Sequence, residues 1–339
     1  LTLLIRVNRS WKIPYEAAKV SGKSFALGWL SLLVAVILLY VATGNWHINV
    51  TLANDDVITS GMRFIIDMLI VLAVIVPAAQ FPFQSWLIES VAAPTPVSAI
   101  MHAGIVNAGG IILTRFSPVF NDPLAITILL IIASISVLLG SGISLVHVDY
   151  KRQLVGSTMS QMGFMLVQCA LGVYSAAIIH LILHGVFKAT LFLQSGSVVK
   201  RFNIPIPPSA KRSYSWVVLG RCLAIIIAIL FWLGSDRSAY EILSALILAW
   251  SLMVSWNQMV AFSRGLIGRV IGIIMIVIVA LVYIVTHHYF YNTLSHVYMN
   301  VAHPPLMSVI IGILILVFGS VLSIWVARQR DSKAFAVLY

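Results

Sequence analysis

HLILHGVFKATLF, residues 180–192, places three ionisable side chains inside an apolar run over residues 176–198. His180, His184 and Lys188 are spaced four residues apart. On a helix they drift by only about 80° and form a column about 12 Å long on one face. Because an ionised lysine at the centre of a bilayer costs at least about 2.5 kcal/mol, the column must face protein or water rather than lipid. The stretch therefore indicates a helix inside a bundle.

The composition predicts a membrane protein. Of the 339 residues, 60% are hydrophobic and 9% are charged, whereas about 25% of an average soluble domain is charged. A helix needs about 20 apolar residues to cross a hydrocarbon core of about 30 Å. Ten runs meet this requirement, near 25–43, 64–86, 97–116, 123–146, 157–173, 176–198, 216–234, 239–262, 266–286 and 306–327. Since the runs lack the alternation of barrel strands, we predict an all-α polytopic membrane protein with about ten transmembrane helices.

The basic residues predict the orientation in the membrane. If the N-terminus is cytoplasmic, 17 of the 21 Lys and Arg residues fall in cytoplasmic segments, Lys188 lies within a span, and only Arg63, Arg115 and Arg237 fall outside. We therefore expect a multi-pass protein of the bacterial cytoplasmic membrane with both termini in the cytoplasm. The net charge of +11 then follows from contact with the lipid bilayer, and no nucleic-acid partner is expected.

The polar connections divide the chain into five expected parts, with no soluble domain. These are a cytoplasmic N-terminal segment (1–24), a membrane core (25–198), a proline-rich cytoplasmic linker (199–215), C-terminal membrane helices (216–327) and a cytoplasmic tail (328–339). The first residue is Leu1 and no signal-peptide pattern follows it, so we expect either an upstream portion or an unusual initiation. Cys169 and Cys222 lie in apolar runs and are expected to be packing residues.

The residue types of the column suit proton transfer. Histidine titrates near neutral pH, and a buried lysine can also exchange a proton. The alternative is that each histidine only packs and that Lys188 extends to the membrane surface. HLILH lacks the glutamate of the zinc motif HExxH, and no third ligand is close in sequence. We therefore expect neither a metal nor a cofactor in this chain.

A second polar feature is PAAQFPFQSWLIESVAAPTPVSAIMHAGIVNAGG, residues 77–110. Its four prolines cannot all lie in continuous helix, so a broken helix is predicted, as found at ion sites in transporters. His102 adds a protonatable group, and Asn107 lies among small residues that permit close helix packing. Tight helix packing alone would explain the glycines of this stretch equally well.

The third feature is DYKRQLVGSTMSQMG, residues 149–163. Its polar side chains continue into a predicted membrane span. We expect Ser157, Ser160 and Gln161 to carry water from Lys151 toward the column, as a half-channel. Lys151 is alternatively an ordinary basic anchor at the membrane surface. Asp67 lies one turn from the end of its span and is expected at the surface.

The sequences of these three stretches together resemble those of a known protein family. QFPFQSWLIESVAAPTPVSAIMHAG, DYKRQLVGSTMSQMGFM and HLILHGVFKATLFLQSGSV are similar, in order and spacing, to the antiporter-like subunits of respiratory complex I and of Mrp cation/proton antiporters. HAGIVNAGG is more similar to the DabB-type membrane subunit of inorganic-carbon accumulating complexes. The resemblance implies two inverted five-helix repeats, each with a broken helix, and a hydrophilic axis. The matching axis residues are His102, Lys151, His180, His184 and Lys188.

The resemblance also implies a function. The chain would conduct H⁺ or Na⁺ while coupled to a large cytoplasmic zinc-containing, carbonic-anhydrase-like subunit of the DabA type, and would not be an enzyme by itself. The alternatives are a subunit of a respiratory NADH-quinone oxidoreductase or multisubunit Na⁺/H⁺ antiporter, and a non-transporting scaffold. The sequence departs from the family in three places. The glutamate that the family carries on an earlier helix would precede Leu1. Pro77 stands where the family usually has a lysine, and residues 216–237 offer no counterpart of a later lysine or glutamate.

Overall fold

The computed structural model describes residues 2–6, 12–47, 58–195 and 214–233, with short pieces between residues 245 and 325. Within these ranges the regular secondary structure is helical. The helices are α1 (Thr2–Ile5), α2 (Lys12–Thr43), α3 (Ser60–Ile75), α4 (Ser85–Glu89), α5 (Thr95–Ala103), α6 (Ala108–Phe116), α7 (Pro123–Val146), α8 (Tyr150–Ala170), α9 (Tyr174–Gln194) and α10 (Tyr214–Leu233). Two 3₁₀ turns, Ser90–Ala92 and Ile105–Asn107, lie beside α5.

Several of these helices are long and apolar enough to cross a membrane. In the described part of the chain they are Lys12–Thr43, Thr95–Phe116, Pro123–Val146, Tyr174–Gln194 and Trp216–Leu233. The all-helical membrane architecture is therefore confirmed. The predicted runs 239–262, 266–286 and 306–327, most of the linker and the tail fall largely outside the described residues, so the total of ten stays a prediction. α2 already begins at Lys12, inside the segment expected to be cytoplasmic.

The chain forms two compact units. The first contains Leu1–Arg201 and Ser295–Tyr339, and the second contains Phe202–Leu294. In the second unit, Trp256 Nε1 donates a hydrogen bond to the carbonyl of Trp216 at 2.7 Å. Helices α1–α9, and with them every predicted pathway residue, belong to the first unit.

The most extensive helix contact of the first unit joins α7 to α8. Asp122 and Asp149 cap the starts of these two helices by accepting hydrogen bonds from backbone N–H groups. Further along, the backbones touch through glycines. A Cβ atom on Gly140 would lie 2.5 Å from the backbone nitrogen of Ser160. Such small-residue contacts let helices in membranes approach closely, and here they hold α8 in the interior, where most of its residues are buried.

The first break in the helical path lies between α3 and α4, where the prolines predicted an interruption. Ala79 has a positive φ of 52°. Side chains satisfy several of the backbone groups that the break frees. Gln80 Nε2 donates to the carbonyls of Ala78 (2.6 Å) and Met159 (3.3 Å), and Trp86 Nε1 donates to the carbonyl of Val76 (2.8 Å). The break is thus fastened to α8 through Met159.

A second break divides the run 97–116, which the hydropathy alone treats as one span. α5 ends at Ala103, and Gly104 leaves the helical region with φ −123° and ψ −65°. The Ile105–Asn107 turn then leads into α6. Gly109, at the start of α6, lies directly against α3, because an added Cβ would be 2.7 Å from the carbonyl of Val74.

The prediction that Asp67 lies at the surface is wrong. Its side chain is fully buried, because the turn before α7 packs against the middle of α3. Asp67 Oδ2 accepts hydrogen bonds from the backbone N–H groups of Asn121 (3.1 Å) and Asp122 (2.8 Å). The carboxylate therefore ties α3 to the start of α7.

Gly140→Ala is expected to destabilise the protein by about 1–3 kcal/mol, because the added methyl group meets backbone atoms of α8 that cannot move independently. Gly61→Ala is the matched control, since a Cβ on Gly61 meets no atom within 4 Å. Thermal unfolding of the detergent-solubilised protein measures both variants. Equal midpoints for the two variants would contradict the close α7–α8 packing.

Candidate functional site

α9 presents its ionisable column to the protein interior. His184, Lys188 and Phe192 are 5%, 1% and 1% exposed, whereas Val186 and Phe187, on another side of the same helix, are 68% and 59% exposed. The buried side packs against α5 and α8. The spacing of four residues therefore keeps polar groups on the protein side and hydrocarbon on the outer side of one helix.

Lys188 is held by one turn of α8. Its Nζ donates hydrogen bonds to the carbonyl of Leu154 at 3.0 Å and to Ser157 Oγ. The same carbonyl accepts hydrogen bonds from the hydroxyls of Ser157 and Thr158, each at 2.9 Å. An ammonium group has three donors, so one remains available to neighbouring groups of the site.

The two histidines of α9 continue the column from Lys188. The ring centroids of His184 and His180 are 6.1 Å apart. His180 is half-buried, and its Nδ1 lies 3.2 Å from Gln168 Oε1 on α8. Because a neutral imidazole carries one donor and one acceptor nitrogen, the glutamine oxygen favours the tautomer with the proton on Nδ1.

His102 joins the column from α5. It is fully buried, and its ring stacks on Phe192 of α9 with centroids 4.3 Å apart. It lies close enough to Lys188 and His184 to interact with both electrostatically. Among the described residues, neither ring nitrogen of His102 or His184 has a hydrogen-bond partner. Buried polar atoms in proteins nearly always have one, so these four nitrogens are an unusual feature of the buried cluster.

The remaining predicted residues lie at different places. Lys151 is half-buried at the start of α8 and donates to the carbonyl of Ala93 at 3.4 Å. Ser160 Oγ pairs with Ser141 Oγ of α7 at 2.9 Å rather than with the column. Gln161 is exposed. The structure thus brings together His102, His180, His184, Lys188, Ser157 and Asn107, and it places Lys151, Ser160 and Gln161 apart from them.

The turn between α7 and α8 lies at the same end of the bundle as Lys151. Gln153 Nε2 donates to the carbonyl of His147 at 2.7 Å. Burial, and next the nearby Arg152 guanidinium, lower the pKa of His147 below its usual value. Lys151 and Arg152 are two other basic side chains at this end of the bundle.

Sequence reasoning missed three contributors to the site. Gln168 and Phe192 contact the histidines directly, and the Leu154 carbonyl holds the lysine. A glutamine inside the apolar stretch MLVQCAL was a usable signal for the first. A main-chain carbonyl leaves no mark in a sequence. In the described ranges, no group of three His, Cys, Asp or Glu side chains could hold a metal ion.

Comparison with known proteins identifies relatives of the whole chain. The family described as NADH:quinone oxidoreductase/Mrp antiporter, TM, matches residues 1–272. The probable inorganic carbon transporter subunit DabB of Bacillus subtilis (strain 168) is 57% identical over all of this chain and 68% of its own length. Its counterpart in Bacillus anthracis is 52% identical over all of this chain and 67% of its own length. The chain thus spans about two thirds of these relatives.

A solved structure shares the fold. The structure of the Mrp complex from Dietzia sp. DQ12-45-1b superposes with a TM-score of 0.64 at 23% identity, covering 99% of this chain and 43% of the matched chain. This confirms the antiporter-like bundle with a broken helix that the motifs predicted.

Ser157→Ala is expected to lower the free energy of unfolding by about 1–3 kcal/mol, because the buried amine of Lys188 loses a hydroxyl partner. Thr190→Val is the matched control, since Thr190 is exposed on α9 and its hydroxyl bonds only within that helix, to the Val186 carbonyl. Thermal unfolding in detergent compares the two. A Ser157→Ala protein as stable as the control would show that Ser157 does not hold Lys188.

Proposed function

Because this chain belongs to the NADH:quinone oxidoreductase/Mrp antiporter family, we propose that it is the membrane subunit of an inorganic carbon transporter and conducts H⁺ or Na⁺ through the column on α9. The single observation that carries this proposal is the buried amine of Lys188 beside the unpartnered imidazoles of His102 and His184. Placing such groups at membrane depth costs free energy. A subunit that only packed against its neighbours would gain nothing in return.

The geometry supports transfer along α9. A cation reaches Lys188 from the Lys151 end, past Ser157 on α8, and then passes His184 and His180 toward Gln168. Each neutral imidazole accepts a proton on one nitrogen and releases one from the other. Since protonation of one group disfavours protonation of its neighbour, the charge moves stepwise along the column rather than accumulating.

The orientation follows from the basic residues. With both termini in the cytoplasm, the Lys151 end faces the cytoplasm and the Gln168 end faces outward. In this arrangement residues 25–198 form the conducting core, and residues 199–215 form a cytoplasmic linker between the core and the helices of 216–327. The basic linker and the tail 328–339 are then available to a cytoplasmic partner.

We assign that partner to a large cytoplasmic zinc-containing subunit of the DabA type. Cation flow through the membrane subunit would drive the hydration of CO₂ to bicarbonate in one direction, with the zinc chemistry residing in the partner. The names of the Bacillus relatives support a role in inorganic carbon transport. Copurification of the two subunits, with metal analysis of the complex, tests this assignment.

A second candidate function is a subunit of a respiratory dehydrogenase or a multisubunit Na⁺/H⁺ antiporter. The shared fold with an Mrp complex favours it. Pro77, in place of the lysine usual in that family, argues against it, because the first break then carries no ionisable group of its own. Neighbouring genes discriminate the two, since a large soluble zinc protein supports carbon transport and several further membrane subunits support the alternative.

Lys188→Met is expected to reduce uptake of labelled inorganic carbon at ambient CO₂ at least tenfold, because a positioned proton-transferring side chain typically contributes about 100-fold or more. Lys19→Met is the matched control, since Lys19 is exposed on α2. Immunoblots of membranes verify equal amounts of assembled protein. Normal uptake by an assembled Lys188→Met protein would identify the chain as a non-transporting scaffold.

Deletion of the gene is expected to prevent growth in ambient air and to leave growth in CO₂-enriched air unchanged. An uncoupler, at a concentration that still permits growth of wild-type cells in enriched air, should abolish the wild-type advantage in ambient air if the conducted cation is H⁺, because it collapses the proton gradient. Comparison of growth rates in the four conditions measures both effects. Ambient growth of wild-type cells that persists with the uncoupler contradicts uptake driven by the proton gradient.

A further inference from the structure

The second unit carries an arginine on an aromatic surface at one end of its helices. Trp216 is the first residue of the apolar span Trp216–Leu233, and Arg269 is the first residue of the apolar helix Arg269–Ile278. The guanidinium carbon of Arg269 lies 5.0 Å from the centroid of the Trp216 ring. At the ends of membrane helices, tryptophan and arginine side chains lie at the level of the lipid headgroups. The pair is therefore placed where polar lipid groups meet hydrocarbon.

Trp216 is held in place by a second tryptophan. Trp256 Nε1 donates a hydrogen bond to the Trp216 carbonyl at 2.7 Å, and the two rings stack with centroids 6.5 Å apart. Gly220, one turn after Trp216, leaves room for Trp256, because an added Cβ would overlap the Trp256 indole. Ile276 packs into the same cluster. Three segments of the second unit thus build the aromatic surface on which Arg269 lies.

The charge of Arg269 has no counter-ion in the described part of the second unit. Its Nε atom is buried and has no hydrogen-bond partner there, although buried polar atoms nearly always have one. The acidic residues between positions 202 and 294 are Asp236 and Glu241. Both follow the end of α10, and that helix spans about 25 Å from Trp216 to Leu233. An anion that neutralises Arg269 at the Trp216 end must therefore come from outside this unit.

The stacked arrangement leaves the edge of the guanidinium available to an anion. A cation–π contact uses the flat face of the group. Its five N–H donors lie in the plane of the group and match the oxygens of a phosphate. Leu219 of α10 and Val270, next to Arg269, are exposed and offer apolar surface to acyl chains. A molecule that combines a phosphate with hydrocarbon chains fits both features.

We propose that Arg269, stacked on Trp216, binds the phosphate of an anionic phospholipid. In sequence, Lys211 and Arg212 shortly precede α10, and Arg264 shortly precedes Arg269. Basic clusters next to membrane helices attract anionic headgroups. An acidic protein segment would supply carboxylates but no acyl chains for the neighbouring apolar surface, so a lipid is the better match. The site is independent of the proposed ion pathway, because α9 belongs to the first unit.

Native mass spectrometry of the full-length protein tests this site with three probes. Phosphatidylglycerol is the anionic lipid, phosphatidylcholine is the zwitterionic lipid, and inorganic phosphate is the soluble anion. Arg269→Gln removes the charge, whereas Arg269→Lys keeps the charge and loses the flat group that stacks. Arg152→Gln is the matched control, since Arg152 is an exposed arginine at the start of α8 in the first unit. Thermal unfolding with each probe measures the same binding as stabilisation.

The wild-type protein is expected to bind phosphatidylglycerol more tightly than phosphatidylcholine. Arg269→Gln should weaken phosphatidylglycerol binding about fivefold or more, Arg269→Lys should have a smaller effect, and Arg152→Gln should bind as wild type. The rise in unfolding midpoint that phosphatidylglycerol causes should disappear in Arg269→Gln. Because each variant is compared with itself, with and without lipid, this measurement stays valid if the substitution lowers the starting stability.

Three results would overturn the proposal. The first is equal phosphatidylglycerol affinity of wild-type and Arg269→Gln proteins. The second is stabilisation of the wild type by inorganic phosphate with no further effect of phosphatidylglycerol, which would identify a soluble anion as the ligand. The third is loss of a copurifying protein from Arg269→Gln with unchanged lipid affinity, which would assign the arginine to a protein interface.

Discussion

The structure depends on one requirement, namely that the ammonium group of Lys188 be kept away from lipid and supplied with acceptors. The Leu154 carbonyl and the Ser157 hydroxyl meet this requirement, and both belong to a single turn of α8. That turn must therefore lie in the interior, and the glycine contacts between α7 and α8 place it there. α9 must also turn its polar side inward, so that Val186 and Phe187 contact hydrocarbon. The arrangement of α7, α8 and α9 thus follows from the position of one charge.

The two breaks in the helical path have different roles. At the first, Gln80, Trp86 and Ser136 supply hydrogen bonds to the backbone. This break is consistent with a structural joint fastened to α8. The second break, at Gly104, brings His102 against Phe192, and both nitrogens of its buried ring have no hydrogen-bond partner among the described residues. In the proposed pathway, the ionisable groups are therefore concentrated at the second break and along α9.

The sequence predicted the features that depend on local pattern. The spacing of His180, His184 and Lys188 predicted a column on one helix face, and the prolines of residues 77–110 predicted an interrupted helix. Features that depend on distant parts of the chain were not predictable. Asp67 was expected at the surface, because its burial depends on the turn at Asn121 and Asp122. Ser160 and Gln161 were assigned to a water path from their position in the motif, yet Ser160 bonds to α7 and Gln161 is exposed. The helical angle of each residue on α8 depends on packing against two partner helices, which a single motif does not encode.

The central claim is that the buried imidazoles and amine line a hydrated path rather than a dry packing surface. A cryo-electron microscopy map of the full-length protein in lipid, at a resolution that shows ordered water, tests it most directly. The account predicts water density in contact with the ring nitrogens of His102 and His184 and continuous with the Lys151 end of the bundle. Ring nitrogens packed against hydrocarbon, with no density between them and Lys188, would contradict it.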